Sequence, residues 1–389
     1  MRDDVLARLA RNTAARERER MHRRVRDIER IDGPYVWSND RRLLSFCSND
    51  YLGLSQHPTV VAALRSADVA GSGSAHLICG HRREHAALEE ALAEWTGRER
   101  ALLFSTGYMA NLGSLQALLG EGDLCVQDKL NHACLLDGAA LSGATLVRYV
   151  HADVDSAARQ LRTHVGASAL LATDGVFSMD GDTAPLEALA QLCTAEQAML
   201  MVDDAHGLGV VGPQGAGSVA AAGLDPCQAP VLMATLGKAL GCFGAFVAGS
   251  SDLIDGLTQF ARPYIYTTAM PPALAATALA AVGIVRKESW RRERLMSLIA
   301  RFRAGAAQLG LPLMPSSTAI QPLLLGDTAA ALDLAERLER QGILVTAIRP
   351  PTVPKGKARL RITLSALHEE AQIDRLLDAL ADGKPATLL

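Results

Sequence analysis

Two short stretches combine residue types that could do covalent chemistry. Lys238 lies in Thr235-Leu236-Gly237-Lys238-Ala239-Leu240-Gly241, a glycine-flanked turn between the apolar runs Val231 to Ala234 and Phe243 to Ala248. Both runs read as buried strands. A cationic side chain is costly to bury unpaired. Desolvation lowers an amine's pKa, and the free base can then condense with a carbonyl. Lys238 is therefore a candidate covalent anchor for pyridoxal phosphate; the alternative is a lysine snorkelling at a strand end. The second stretch, Met199 to Gly207, is an apolar strand that ends in Asp203, Asp204 and His206. Asp203 fits the carboxylate that keeps a pyridine nitrogen protonated. The same three side chains could bind a metal, a reading that leaves Lys238 unexplained.

Other candidates lie at the ends of predicted strands. Arg100 to Phe104 reads as a strand, Ser105 to Tyr108 as a turn, and Met109 to Leu119 as a helix. A helix N-terminus offers unbonded N–H groups to a phosphate, which makes Gly107 and Tyr108 a phosphate cup. Thr235 either adds its hydroxyl there or packs in its strand. His132 follows the strand Asp123 to Gln127, at the edge where open α/β sheets bind ligands; a satisfied loop histidine is the alternative. Gly71 to His76 is glycine-rich but lacks the spacing of a nucleotide-binding loop. The rival site is His81-Arg82-Arg83-Glu84-His85, an H-x-x-E-H pattern of zinc hydrolases. Leu88, Leu92 and Trp95 instead suggest a helix after Glu84 with His81 at its fraying start.

The elements that must hold these residues alternate strand and helix. Ala169 to Thr173 is a strand, Pro185 to Gln197 a helix opened by proline, and a buried helix follows Pro271 and Pro272. This pattern indicates an α/β fold with a mainly parallel sheet. Beyond about residue 286 come a charged helix (Trp290 to Gln308), an apolar segment (Pro322 to Leu325), a helix (Ala330 to Gln341), strands Ile343 to Ile348 and Ala358 to Leu364, and a last helix from Glu369. We expect an N-terminal helical segment with a short strand over 1–45, a large domain over 46–285, and a small α+β domain over 286–389.

Composition excludes several function classes. The chain has 389 residues, 49% hydrophobic and 21% charged, with a formal net charge of -3. There is no electrostatic case for nucleic acid. The seven cysteines form no C-x-x-C pair, which suits reduced thiols in the cytoplasm. Acidic residues interrupt the arginine-rich first thirty residues, which read as a solvated helix and not a transit peptide. No segment reads as membrane-spanning, and no metal is expected.

Six ordered blocks carry a family resemblance over nearly the whole chain: SNDYLGLS (48 to 55), STGYMAN (105 to 111), GVFSMDGD (175 to 182), MVDDAHGLGVVG (201 to 212), TLGKALG (235 to 241) and AIRPPTVP (347 to 354). The sequence resembles the α-oxoamine synthases, pyridoxal-phosphate enzymes of the aspartate-aminotransferase fold type (fold type I). The resemblance implies catalytic roles for Lys238, His132 and Asp203. His132 is expected to stack on the cofactor ring near the substrate, Ser178 to contact the cofactor, His206 to reach its phenolic oxygen, and Ala205 to lie beneath the ring. It also supports Thr235 on the phosphate. For substrate it implies Arg361 and Asn49 at an amino acid's carboxylate, with an Asx-turn as the alternative for Asn49. Thr352 is implied at the substrate and Arg23 near the acyl group, with Arg24 and Arg26 as close neighbours. Tyr108 stands where the family more often has phenylalanine, and Asp174 where relatives often have glutamate. The implied substrates are L-alanine and a pimeloyl thioester, on coenzyme A or a carrier protein. Glycine with another acyl thioester is the alternative. A homodimer is implied, with its site at the subunit boundary and Thr267 and Thr268 as candidates from the second chain.

Overall fold

The computed structural model describes residues 2, 4–164 and 166–382. The last seven residues of the expected small domain lie outside them. Seven strands form the central sheet, in the spatial order Arg100–Phe104, Ala245–Gly249, Val231–Thr235, Met199–Asp203, Ala169–Asp174, Leu124–Asp128 and Thr145–Tyr149. Five of them run parallel in one block, Val231–Thr235 through Thr145–Tyr149. Ala245–Gly249 is antiparallel to both its neighbours.

Alternate side chains of these strands enter two different apolar cores. Leu170, Ala172, Met201 and Met233 join Ala110, Leu115 and Ile254 on one face. Leu171, Leu200, Val202 and Leu232 join Ala157, Leu161 and Leu189 on the other. Successive residues of a strand point to opposite faces, so near-continuous apolar strands require helices on both sides. Burying each Leu or Val contributes roughly 1.5–3 kcal/mol. The expected α/β fold is observed.

Two smaller sheets complete the chain. Ile320–Gly326, Ala358–Thr363 and Thr346–Ile348 form one. Arg30–Asp32, Tyr35–Ser38, Arg41–Ser45 and Ile343–Leu344 form the other, the last pair parallel. The predicted single strand Ile343 to Ile348 is therefore divided at Val345, its halves serving different sheets. The N-terminal helix is shorter than the arginine-rich region: Val5–Arg18, capped by Asp4 and with no buried residue. Arg23 lies beyond it, in irregular chain. The helix expected after Glu84 spans Arg83–Thr96 and starts one residue before that glutamate.

Candidate active site

The parallel strands end at one edge, and the polar residues predicted from sequence gather there. Asp128, Asp174, Asp203 and Thr235 each close a strand. The turn after Thr235 is closed by backbone bonds from Leu236 to Gly244 O, from Cys242 to Leu236 O and from Gly241 to Lys238 O, at 2.9, 2.9 and 2.8 Å. Gly241 has φ +66° and its Cα faces the Leu54–Ser55 backbone, so a side chain there would be both strained and obstructed. This turn sets Lys238 back towards the strand ends.

Lys238 Nζ lies 2.8 Å from His206 Nε2, and His206 Nδ1 lies 2.6 Å from the Tyr51 hydroxyl. Burial lowers the lysine pKa to about 8, partly opposed by Asp203 and Asp174. Burial likewise drives His206 well below the usual imidazole range. Near neutral pH the pair is therefore close to a neutral imidazole beside an amine that gives up its proton readily.

Asp203 is fixed through both oxygens. Asn111 Nδ2 donates to Oδ2 at 2.7 Å, and the Ala205 N–H donates to Oδ1 at 3.0 Å. Asp174 beside it is buried, and desolvation with the neighbouring Asp203 charge raises its carboxyl pKa well above the usual range. His132 caps the helix Ala133–Ser142 at the rim. Burial lowers its pKa, with Asp203 acting in the opposite direction.

Thr106 caps the helix Gly107–Leu118 by accepting from the Met109 N–H. The N–H groups of Gly107 and Tyr108 therefore begin a helix and have no carbonyl partner inside it. The Thr235 hydroxyl donates to Gly244 O at 3.0 Å and accepts from Gly237 N–H at 3.2 Å. A phosphate contact from Thr235 requires that hydroxyl to turn. Gly107, Tyr108, His132, Ser178, Asp203, His206, Thr235 and Lys238 all line one cavity of about 200 Å³, with Ala205 and Asp174. A readily deprotonated amine, a carboxylate fixed by two donors, and free helix N–H groups form a donor set that fits pyridoxal phosphate.

A second cavity of about 820 Å³ adjoins the first and shares His132 and Ser178 with it; Arg23, Phe177 and Thr352 also line it. Asn49 and Arg361 meet each other: both guanidinium Nη atoms donate to Asn49 Oδ1, at 3.3 and 3.2 Å. Arg361 Nε donates to Ser178 O at 2.7 Å. Arg349, assigned no role from sequence, donates to Arg20 O and His22 O and ties down the chain before Arg23.

The zinc-hydrolase pattern is put together differently. His81 and His85 do approach, and His76 joins them. Glu84, however, turns to Arg82 and Arg83. His85 spends one ring nitrogen on Arg82 N–H at 2.9 Å and places the other 2.7 Å from Met270 O. It caps a helix and anchors the 270 loop.

Sequence reasoning missed Tyr51 and Asn111. Both lie inside blocks that carry the resemblance. Asn111 carries a signal, as a poor helix former in the middle of a helix; Tyr51, between Asp50 and Leu52, carries none.

The family model for class I and II aminotransferases matches residues 41–380. The chain belongs to that family. Its relatives include the 8-amino-7-oxononanoate synthases of Pseudomonas putida strain GB-1, 56% identical over 98% of this chain and 97% of the relative, and of Cellvibrio japonicus, 55% identical over 98% and 96%. Among solved structures, serine palmitoyltransferase from Sphingomonas wittichii superposes with a TM-score of 0.93 at 30% identity, covering 98% of each chain. The 8-amino-7-oxononanoate synthase of Francisella tularensis gives 0.76 at 29% identity, over 87% of this chain and 97% of that one.

Proposed function

We propose that the protein is an 8-amino-7-oxononanoate synthase. In this reading it is a pyridoxal-phosphate-dependent acyltransferase that joins L-alanine to a pimeloyl thioester with loss of thiol and carbon dioxide, a step of biotin biosynthesis. The observation that carries this is the junction of the two cavities at His132 and Ser178, in a chain 55–57% identical to synthases of that name. A small chamber that holds the ionisable groups adjoins a larger one whose size and mixed lining suit an acyl chain.

Bound pyridoxal phosphate supplies an aldehyde for the amine and a ring that accepts the electron pair of the alanine Cα–H bond. The remaining work falls to the protein. Lys238 Nζ would hold the cofactor and would take the alanine α-proton as general base. Asp203 holds the proton at the ring nitrogen. His132, shared by the two cavities, would donate to the thioester oxygen as the new carbon–carbon bond forms. Gly107 and Tyr108 bind the phosphate through their N–H groups, Thr235 with them after its hydroxyl turns. Ser178 and His206, which line the same cavity, would complete the cofactor's contacts. Arg361 and Asn49 orient the alanine carboxylate, the guanidinium as a two-pronged donor. Arg23 and Thr352 bind the acyl side.

A second copy of the chain completes the assembly in this reading. Leu77, Ile78 and Tyr266 are exposed large apolar residues, and the Ala75–Thr268 bridge brings their segments together. Such a patch suits a homodimer interface, with Thr267 and Thr268 offered to the neighbouring site. No helix among the described residues is long and apolar enough to cross a membrane. All seven cysteines are unpaired, which supports a cytoplasmic setting.

The test is thiol release and carbon dioxide evolution by the cofactor-loaded protein with L-alanine and pimeloyl-CoA. Turnover with this pair is expected. Turnover confined to glycine with acetyl- or succinyl-CoA would move the function to a sister enzyme.

A further inference from the structure

His151 lies outside both sets of residues named above, yet it joins the loops that carry them. Its Nδ1 is 3.0 Å from Asp128 Oδ1 and its Nε2 is 2.7 Å from Asp182 Oδ2. A neutral imidazole has one N–H. Facing a carboxylate oxygen with each nitrogen requires two, so the geometry calls for the imidazolium.

Each partner controls one wall of the acyl cavity. Asp128 ends a central strand and also accepts from the Leu130 and Ala152 N–H groups, at 2.7 and 2.8 Å. It thereby shapes the loop that delivers His132. Ala152 itself sits at φ +55°, an uncommon conformation for a residue with a Cβ, held here by that bond. Asp182 closes the turn that bears Phe177 and Ser178, through a 2.9 Å bond from Phe177 N–H to Asp182 O. The Phe177 ring stands nearly perpendicular to the His151 ring, centroids 4.5 Å apart.

The small domain grips the same turn from outside. Ser316 and Thr318 donate to Gly181 O at 2.8 and 2.9 Å, and Arg359 pairs with Asp180. His151, from the chain after Thr145–Tyr149, holds the same turn through Asp182.

We propose that His151 is a positioning residue for acyl transfer: bridging Asp128 and Asp182, it holds the His132 loop against the Phe177–Asp182 turn and so sets the acyl cavity's alignment with the alanine chamber. The inference rests on the acyl-transfer reading above. Burial pulls the ring's pKa down, but the hydrogen bonds to Asp128 and Asp182 outweigh it and hold the value up at about 10. The other charged groups nearby are Asp180 on the same turn and its partner Arg359 from the small domain. The brace therefore stays charged across the neutral range.

The experiment uses the cofactor-loaded full-length enzyme and the variants His151→Gln and Asp182→Asn, the latter removing the charge of the outer partner alone. A small misplacement of reacting groups costs up to about a hundredfold in rate. His151→Gln should lose about tenfold to a hundredfold in kcat/KM for pimeloyl-CoA, while alanine affinity and alanine α-proton exchange without acyl donor stay unchanged. Asp182→Asn should show the same split, and the double variant should be no worse than His151→Gln, as for two ends of one interaction. Full thioester activity in a folded variant would overturn the proposal, as would a parallel fall in exchange and transfer. Should His151→Gln fail to fold, Asp182→Asn decides by the same split. Nitrogen-15 spectra at pH 8 should show both ring nitrogens of His151 protonated; a neutral ring overturns the brace whatever the substrate. Lack of thiol release by the unsubstituted enzyme would instead count against the acyl-transfer reading.

Discussion

The two adjoining cavities are built in opposite ways. The smaller is lined from the ends of three strands and the turns beside them, and its ionisable groups are held by short bonds: Asp203 by Asn111 and Ala205, His206 between Tyr51 and Lys238. The larger takes its walls from loops around residues 129–136, 177–180 and 351–359 and from irregular N-terminal chain, and Arg23 and Thr352 on it are exposed. Rigid strand ends suit chemistry that needs fixed distances and shifted pKa values. Loops suit a long, variable substrate. The comparison implies that substitutions in the first region abolish steps, whereas those in the second rescale affinity for one substrate.

The largest effect is expected at Lys238. Lys238→Ala should lower thiol release on the order of ten-thousandfold by removing anchor and base together, with an unaltered far-ultraviolet circular dichroism spectrum. Normal turnover would break the division between the regions at its strongest point. Asp203→Asn comes next. Loss of a charge-assisted bond to the ring nitrogen is worth about 1.5–3 kcal/mol, roughly tenfold to a hundredfold. Alanine α-proton exchange is the readout, and an unchanged rate would remove Asp203 from its role.

The same contrast governs what could be read from sequence. Lys238 and Asp203 stood out because charged residues at the ends of apolar runs need an explanation, and both lie in the strand-end chamber. The α/β alternation was equally legible, since Leu170 to Ala172 and Leu200 to Val202 are apolar at every position and, as short runs between helices, read as strands covered on both faces. Contacts between distant segments left less trace. Nothing local to Tyr51 reveals that it meets His206, and nothing local to His151 reveals a bridge from Asp128 to Asp182. The strand predicted over Ile343 to Ile348 is apolar but for Thr346, and which sheet each half joins depends on Arg41–Ser45 and Ala358–Thr363, far away in the chain. The run predicted from Phe243 starts as a strand only at Ala245, because Gly244 at φ +112° turns the chain and leaves Phe243 exposed.

A smaller effect is expected in the larger cavity. Exposed charge pairs are worth about 1 kcal/mol or less, so Arg23→Ala should raise the KM for pimeloyl-CoA by at most about fivefold. Its alanine KM and kcat should not change. A fall in kcat comparable to that of Asp203→Asn would mean that the N-terminal chain takes part in the chemistry and that the two regions are one.

The last prediction concerns the seam between the chain after Arg41–Ser45 and the segment before the last helix, where activity should not respond at all. His368 stacks on Phe46 with centroids 4.4 Å apart, accepts from Ser365 N–H at 3.0 Å, and has Nε2 3.0 Å from Ser45 O. Burial lowers its pKa from 6.5 to about 4. Between those values the unfolded chain binds the proton and the folded state does not, so stability from this group is complete above pH 6.5 and is lost as pH falls towards 4. Through linkage the loss amounts to about 3 kcal/mol. His368→Gln cannot titrate. Its stability from urea unfolding should be lower at neutral pH, by about 1–3 kcal/mol for the unmatched bonds, but flatter between pH 6.5 and 4 than that of the parent. Its kcat/KM at pH 8 should match the parent's. Equal acid slopes in the two proteins would show that His368 is already protonated in the fold, and a changed kcat/KM would carry the seam into the active site.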